Sequence, residues 1–124
     1  PVVTKVTMPR NYKVTKNNKR KCLVVKKGDT FFAISKKFDV ELYDLFRYND
    51  CDENYVLKPG TNIYIEPKRK KSSEEIHIAK RGESMHEISN NYGIKLKRIY
   101  RINKMKRGNR PSRGQKILLK KPKK

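Results

Sequence analysis

The chain contains few of the residues that build catalytic and metal centres, and it contains no long apolar run. None of its hydrophobic stretches is long enough to cross a membrane, and none resembles the core of a signal peptide. Because it opens on a proline without an initiator methionine, we expect it to be a segment of a longer protein. Its two histidines, His77 and His86, lack the spacing of a metal site. We therefore expect no metal and no cofactor.

Acidic residues are also scarce, with 12 Asp and Glu against 33 Lys and Arg, which gives a net charge of +21. The excess is unevenly distributed, because residues 1–21 carry +7, residues 22–68 carry −1, residues 69–73 carry +3 and residues 74–124 carry +12. Basic stretches of this kind attract anionic polymers or surfaces. Residues 22–68 have no basic excess, so a function that both parts of the chain share cannot depend on positive charge.

The most informative feature is an internal repeat without gaps, in which residues 22–68 align with residues 76–122 at an offset of 54 positions. A repeat of this kind determines the fold prediction. Nine aligned pairs are identical: Lys26/Lys80, Gly28/Gly82, Ile34/Ile88, Ser35/Ser89, Leu42/Leu96, Arg47/Arg101, Asn49/Asn103, Gly60/Gly114 and Ile63/Ile117. We predict four parts: a basic tail or linker (1–21), a first module (22–68), a charged linker (69–75) and a second module (76–122).

Both cysteines, Cys22 and Cys51, lie in the first repeat, where the second repeat has Ile76 and Met105. This exchange favours small buried hydrophobic side chains over a disulfide, which stays the alternative. The repeats are short enough to have thin cores and shallow surfaces.

Each repeat predicts the element order β-α-α-β, with an antiparallel pair of strands and two helices on one face of it. Thr30 and Ser84 follow a turn glycine and an acid, and each is placed to cap a helix. Asp39 and Gly93 fall where that helix must end. Asn49 and Asn103 end the second helix, and we predict a structural role for them.

The ordered set of these motifs resembles the LysM domain, a carbohydrate-binding module. The first repeat carries Gly28-Asp29-Thr30, Ile34-Ser35, Asn49 and Pro59-Gly60, and the second repeats the pattern more loosely, with Glu83 and Ser84 for Asp and Thr and Arg113 for Pro. The resemblance implies an α+β fold of two tandem βααβ modules. It also implies recognition of glycans that contain N-acetylglucosamine, either peptidoglycan or chitin. The basic tail and tandem modules look more loosely like the C-terminal region of secreted bacterial cell-wall glucosaminidases.

In that family the groove lies between the loop after the first strand and the loop after the second helix. Transferred to this chain, the glycan-binding residues are Gly28, Asp29, Thr30, Phe31, Asn54, Tyr55, Val56 and Leu57 in the first module, and Gly82, Glu83, Ser84, Met85, Gly108, Asn109, Arg110 and Pro111 in the second. Helix capping explains Asp29 and Thr30 without a ligand, so the loop backbone is the better candidate for direct contact. Two weak sites on one tether would raise the effective affinity.

We therefore expect a monomeric, non-enzymatic segment that anchors a larger exported bacterial protein, a cell-wall hydrolase with its catalytic domain upstream, in the periplasm or cell wall. The acids Asp50, Asp52 and Glu53 could suggest a glycosidase, but the second repeat has bases there, and a solvated loop is the simpler interpretation. Two alternatives stay open. One is binding of nucleic acid or another anionic polymer through the basic second repeat, although no nucleic-acid-binding motif is present. The other is a structural interaction module whose second copy has lost its site.

Overall fold

The structure is a computed structural model that describes residues 11–122, so residues 1–10 of the predicted tail and residues 123 and 124 lie outside it. The elements are β1 (Thr15–Asn17), β2 (Arg20–Val24), α1 (Phe31–Phe38), α2 (Leu42–Tyr48), β3 (Asn62–Tyr64), β4 (Ile76–Ile78), α3 (Met85–Tyr92), α4 (Leu96–Ile102) and β5 (Lys116–Leu118). The predicted α+β fold of two βααβ modules is confirmed.

Equivalent residues begin and end the first helix of each module. The Thr30 hydroxyl accepts a hydrogen bond from the Ala33 amide at 3.1 Å, and the Ser84 hydroxyl accepts one from the Glu87 amide at 3.1 Å. Ser84 and Glu87 complete a reciprocal capping box. Both helices end in a left-handed residue, Asp39 at φ 54° and Gly93 at φ 69°. The predicted caps and stops are confirmed.

The two sheets share one strand register, but the first sheet is larger than predicted. Leu23 pairs with Ile63, and His77 pairs with Ile117, which are equivalent pairs at the repeat offset. In addition, β1 pairs antiparallel with β2 and makes the first sheet three-stranded. The β1–β2 turn places Asn18 and Lys19 at positive φ, as a tight two-residue hairpin turn requires. We call residues 15–24 the hairpin.

Each module has its own core, and one asparagine ties the second helix to the last strand. The Asn49 amide nitrogen donates to the carbonyls of Leu45 and Tyr64 at 2.8 and 2.9 Å, and its oxygen accepts from the Tyr64 amide at 2.7 Å. Asn103 repeats all three bonds with Ile99 and Leu118, at 2.8, 2.9 and 2.7 Å. The structural role predicted for these two residues is confirmed.

The modules contact each other through polar groups on β1, β3 and α3. The Tyr64 side chain is buried, and its hydroxyl hydrogen-bonds to the Asn90 carbonyl. The Asn17 amide nitrogen donates to the Tyr64 hydroxyl and to the Asn91 carbonyl, both at 2.8 Å. Desolvation raises the pKa of Tyr64 to about 12, so the phenol keeps its proton at neutral pH. The hairpin thus fixes the orientation of the second module.

A buried ion pair of the first module is hydrogen-bonded across the same interface. Lys68 is 2% exposed, and its Nζ lies 2.7 Å from Asp50 Oδ2 and 2.8 Å from Asn90 Oδ1. The same Asp50 oxygen accepts from the Leu96 amide at 3.1 Å. Asp50 is therefore half-buried and engaged between the modules, which corrects the interpretation of this residue as a solvated loop acid.

The segment between the modules is hydrogen-bonded along its length. The Arg69 amide donates to the Gly93 carbonyl at 2.9 Å, and the Arg69 carbonyl accepts from the Lys95 amide at 2.8 Å. Asn18 donates to the carbonyls of Gly93 and Lys71 at 3.1 and 2.9 Å. Because linker and hairpin both bond to the second module, the two modules hold one relative orientation.

Candidate functional site

The first candidate loop of each module is shaped by its acid. Asp29 Oδ2 accepts a hydrogen bond from the Lys26 amide at 2.8 Å, and Glu83 Oε1 accepts one from the Lys80 amide at 2.8 Å. These bonds close a turn around Gly28 and Gly82, which have φ of 92° and 74°. The acid and the hydroxyl that follows it are thus explained by local structure, and their contact with a sugar stays a prediction.

Glu83 has an additional partner. His77 Nε2 lies 2.8 Å from Glu83 Oε1, and His77 Nδ1 lies 2.8 Å from the Tyr92 hydroxyl. Desolvation acts to raise the pKa of the Glu83 carboxyl, but the hydrogen bonds from His77 and the Lys80 amide outweigh it and hold the pKa below its ordinary value. The second module therefore keeps an ionised acid at the Asp29 position.

The second candidate loop is supported differently in the two modules. In the second module the Tyr100 hydroxyl accepts from the Gly108 amide at 3.1 Å and donates to the Asn109 carbonyl at 3.4 Å. In the first, the Tyr55 ring lies 6.4 Å from the ring of Phe31 and 5.2 Å from that of His86. Desolvation is the main cause that raises the pKa of Tyr55.

Burial separates the predicted site residues into accessible and inaccessible side chains. Phe31, Met85 and Pro111 are buried, and Leu57 packs against the first core. Val56 is 71% exposed, so its apolar side chain is accessible to a ligand. An exposed valine beside loop amides offers what an acetamido group needs, an apolar contact with hydrogen-bonding groups around it.

Some of the predicted residues meet in a groove of about 890 Å³ between the two modules. The groove is lined by Asn54, Tyr55 and Val56 of the first module together with Gly82, Ser84 and Arg110 of the second. The other ten predicted residues do not line it: Gly28, Asp29, Thr30, Phe31, Leu57, Glu83, Met85, Gly108, Asn109 and Pro111. The second loop of one module thus faces the first loop of the other.

The two grooves that the family resemblance predicts within the modules are not equivalent. In the second module, the Arg110 guanidinium donates to the Gly82 carbonyl at 3.0 Å and ties the two loops together. The equivalent positions in the first module are Val56 and Gly28, where the side chain is apolar and cannot make this bond. A ligand entering between the second module's loops must displace the Arg110 bond.

The groove also contains residues that sequence reasoning did not assign to the site, among them Lys58, Thr61, His86 and Glu87. The His86 ring nitrogen Nε2 lies 2.9 Å from the Asn49 carbonyl, across the interface. No repeat pattern predicts these residues, because their position depends on how one module is oriented against the other.

Three carboxylates line this groove, and each has a local role. Asp50 pairs with Lys68, Asp52 Oδ1 accepts from the Asn54 amide at 2.9 Å, and Glu87 Oε1 accepts from the Ser84 amide at 2.8 Å. The thiol of Cys51 also lines the groove, and desolvation raises its pKa to about 12, which keeps it protonated and poorly nucleophilic. Each of the three carboxylates is thus explained by a contact within the fold.

The described part of the chain holds neither a metal cluster nor a membrane-spanning helix. Between residues 11 and 122, no group of three or more His, Cys, Asp and Glu side chains is placed to hold a metal ion. In the same range no helix has the length and apolarity needed to span a membrane. Cys22 and Cys51 are both free thiols.

Comparison with known proteins gives a family match in both repeats. The LysM domain matches residues 23–66 and residues 77–120. Solved structures with similarity include the spore cortex-lytic enzyme SleL of Bacillus cereus, at 18% identity and a TM-score of 0.37 over 83% of this chain and 23% of that one. SleL of Bacillus megaterium gives 19% identity and a TM-score of 0.35 over 82% and 22%. The chain thus spans less than a quarter of either enzyme, and no curated protein matches it.

Proposed function

Because the chain belongs to the LysM domain family, whose members bind peptidoglycan and related glycans, we propose that it binds N-acetylglucosamine oligomers through the groove between its modules. The observation that carries this proposal is that Asn54, Tyr55 and Val56 of one module and Gly82 and Ser84 of the other line a single groove. A glycan chain is long enough to contact both loops at once, so one ligand would use both modules.

The first module is the stronger contributor in this proposal. Val56 supplies an exposed apolar contact for an acetamido methyl group or a sugar C–H face, and the aromatic residue Tyr55 lines the groove next to it. The second module offers the Gly82 loop, whose carbonyl is already occupied by Arg110. A glycan therefore gains most of its apolar contact from the first module.

The rigid orientation of the modules affects the affinity. Two sites joined by a flexible tether must lose the freedom of that tether when both bind. Here the hairpin, the linker and the Lys68–Asp50 pair fix the orientation before the ligand arrives. We therefore expect the intact tandem to bind a long oligomer more tightly than a short one that reaches only one module.

Calorimetric titration with uncharged N-acetylglucosamine oligomers tests the groove. Val56→Ser removes most of an apolar contact, which is worth about 1 kcal/mol or about fivefold in Kd. The matched control is Val24→Ser, since Val24 is also exposed, at 44%, and does not line the groove. Equal affinity for the Val56→Ser variant and the wild type would contradict the placement of the ligand in this groove.

We include in the proposal that the segment acts without catalysis and anchors a larger exported bacterial protein, a cell-wall hydrolase, to the cell wall. Two observations support a binding role. The groove carboxylates Asp52 and Glu87 accept hydrogen bonds from backbone amides, and the Cys51 thiol is protonated. The chain fused to a fluorescent protein should sediment with purified peptidoglycan, and Val56→Ser should release it at lower competitor concentration than Val24→Ser does. A fusion that stays in the supernatant would contradict anchoring even if small oligomers bind.

A further inference from the structure

A second groove, of about 520 Å³, lies between the hairpin, the linker and α4, on residues outside the glycan groove. Eight of its nine lining residues are Lys or Arg, and none is acidic. The ninth is Ile102, so the lining also holds no aromatic side chain. Charge of one sign concentrated in a concave surface focuses the field and attracts anions.

The groove is formed by segments that are distant in the sequence. Arg20 begins β2 directly after the hairpin turn, and Lys70 and Lys71 belong to the linker. The backbone bonds of Arg69 to Gly93 and Lys95 hold that linker against the start of α4. The fold thus brings the positive charge of three separate stretches to one place.

Two arginines in this groove have unmatched hydrogen-bonding groups. The Nε atoms of Arg20 and Arg98 are buried, and within residues 11–122 neither has a hydrogen-bond partner. Buried polar atoms without a partner are rare, because each costs the loss of its hydration. Lys68 is the contrast, since its ammonium is satisfied by Asp50 and Asn90. Neither guanidinium group has an acidic side chain beside it among the residues that line the groove, so an anion bound there would supply the counter-charge.

We propose that this groove binds a phosphodiester polymer that carries no bases, such as a chain of phosphate-linked polyols. A guanidinium group matches phosphate oxygens with two parallel hydrogen bonds, and several cations in a row match a repeated charge. Recognition of single-stranded nucleic acid uses aromatic side chains for base stacking, and the lining residues offer none. The groove therefore recognises the spacing of the phosphate charges and makes no stacking contact with bases.

The test uses the whole chain and an oligomer of glycerol phosphate, with affinity measured at several salt concentrations. The groove variant is Lys70→Gln/Lys71→Gln, and Arg20→Gln/Arg98→Gln is a second one. The matched control is Lys36→Gln/Lys37→Gln, which removes the same charge from exposed positions on α1 outside the groove. A thermal unfolding curve for each variant reports whether it is folded.

Each groove variant should weaken binding about tenfold and reduce the slope of log K against log salt by about 1.4, which is the value for two lost phosphate contacts on a single-stranded polymer. The control should weaken it by less than about threefold, because it removes only long-range attraction. Equal losses in the control and in a folded groove variant would overturn the proposal, as would no binding of the oligomer at low salt.

A single-stranded oligonucleotide with the same number of phosphates tests whether bases contribute to binding. Its affinity should equal that of the glycerol phosphate oligomer within about threefold, since only phosphates are contacted. Binding about tenfold tighter to the oligonucleotide would overturn the assignment to a base-free polymer. The Lys70 and Lys71 side chains do not line the glycan groove, so an uncharged N-acetylglucosamine oligomer should bind the Lys70→Gln/Lys71→Gln variant and the wild type equally.

Discussion

Removal of either partner of the Lys68–Asp50 pair should destabilise the chain, and the two losses should differ in size. Lys68→Met keeps the apolar stem of the side chain and removes its charge. Asp50→Asn keeps an oxygen that can accept from the Leu96 amide and removes the counter-charge. The two variants therefore test the electrostatic contribution of the pair, one by removing its cation and the other by removing its anion.

The magnitudes follow from burial. The Lys68 side chain is 1% exposed and that of Asp50 is 24% exposed, so a stranded ammonium costs more than a stranded carboxylate. Desolvation lowers the pKa of Lys68 despite the attraction of Asp50, which means that Lys68→Met also relieves a cost. Breaking a buried pair costs about 3–5 kcal/mol. We therefore expect about 4 kcal/mol for Asp50→Asn and about 2 kcal/mol for Lys68→Met.

Urea unfolding followed by circular dichroism measures both values, and the double variant completes a cycle. Because the two residues share one interaction, the double variant should lose less than the sum of the single losses, by at least about 1 kcal/mol. Arg47 and Asp44 form an exposed ion pair that serves as the control, and Arg47→Gln should leave the unfolding curve nearly unchanged. A loss below about 1 kcal/mol for Asp50→Asn would refute the role of the buried pair.

Three further substitutions probe individual contacts. Asn49→Ala should cost about 3 kcal/mol in unfolding free energy, because it strands buried backbone groups of β3, and a loss under about 1 kcal/mol would contradict this. Gly93→Ala should cost at least about 1 kcal/mol more than Gly82→Ala, because the two glycines have similar φ, 69° and 74°, but a Cβ at Gly93 would lie 2.9 Å from Asn18 Cβ while that at Gly82 meets nothing within 4 Å; equal melting curves would refute the close approach. Because the pKa of Glu83 is lowered on folding, its ionisation stabilises the chain above about pH 5, and this contribution disappears as the pH falls through the folded pKa. Glu83→Gln should therefore differ most from the wild type near neutral pH and least at acid pH, and a difference independent of pH would contradict the assignment.

The repeat predicts the elements of each module because the residues that recur in it are those that begin and end the helices through local contacts. Thr30 and Ser84 cap helices, and Asp39 and Gly93 end them, through contacts with residues nearby in the chain. The asparagine at the end of the second helix is recognisable for the same reason. The contacts of these residues lie within one module, so their structural roles can be predicted from a single sequence.

The interface was not predictable in this way. Strand β1 has the sequence Thr15-Lys16-Asn17, which lacks apolar alternation, and only the asparagines of its turn hint at a hairpin. Lys68 and Asp50 form an ion pair within the first module, but each also bonds to a residue of the second module, Asn90 and Leu96, which the repeat pattern does not indicate. The groove between the modules depends on the same orientation, so the sequence predicts the loops that line it but does not predict that they face each other.

The most direct test of glycan binding in the shared groove is an amide NMR titration of the whole chain with an uncharged N-acetylglucosamine oligomer at moderate salt. If one glycan occupies the groove as proposed, shifts should appear in Asn54, Tyr55 and Val56 together with Gly82 and Ser84 at one common ligand concentration, because these residues line the same groove. Shifts confined to the Gly28–Thr30 turn and the second loop of the same module would contradict the shared groove. The absence of any shift at millimolar ligand would contradict recognition of simple N-acetylglucosamine oligomers.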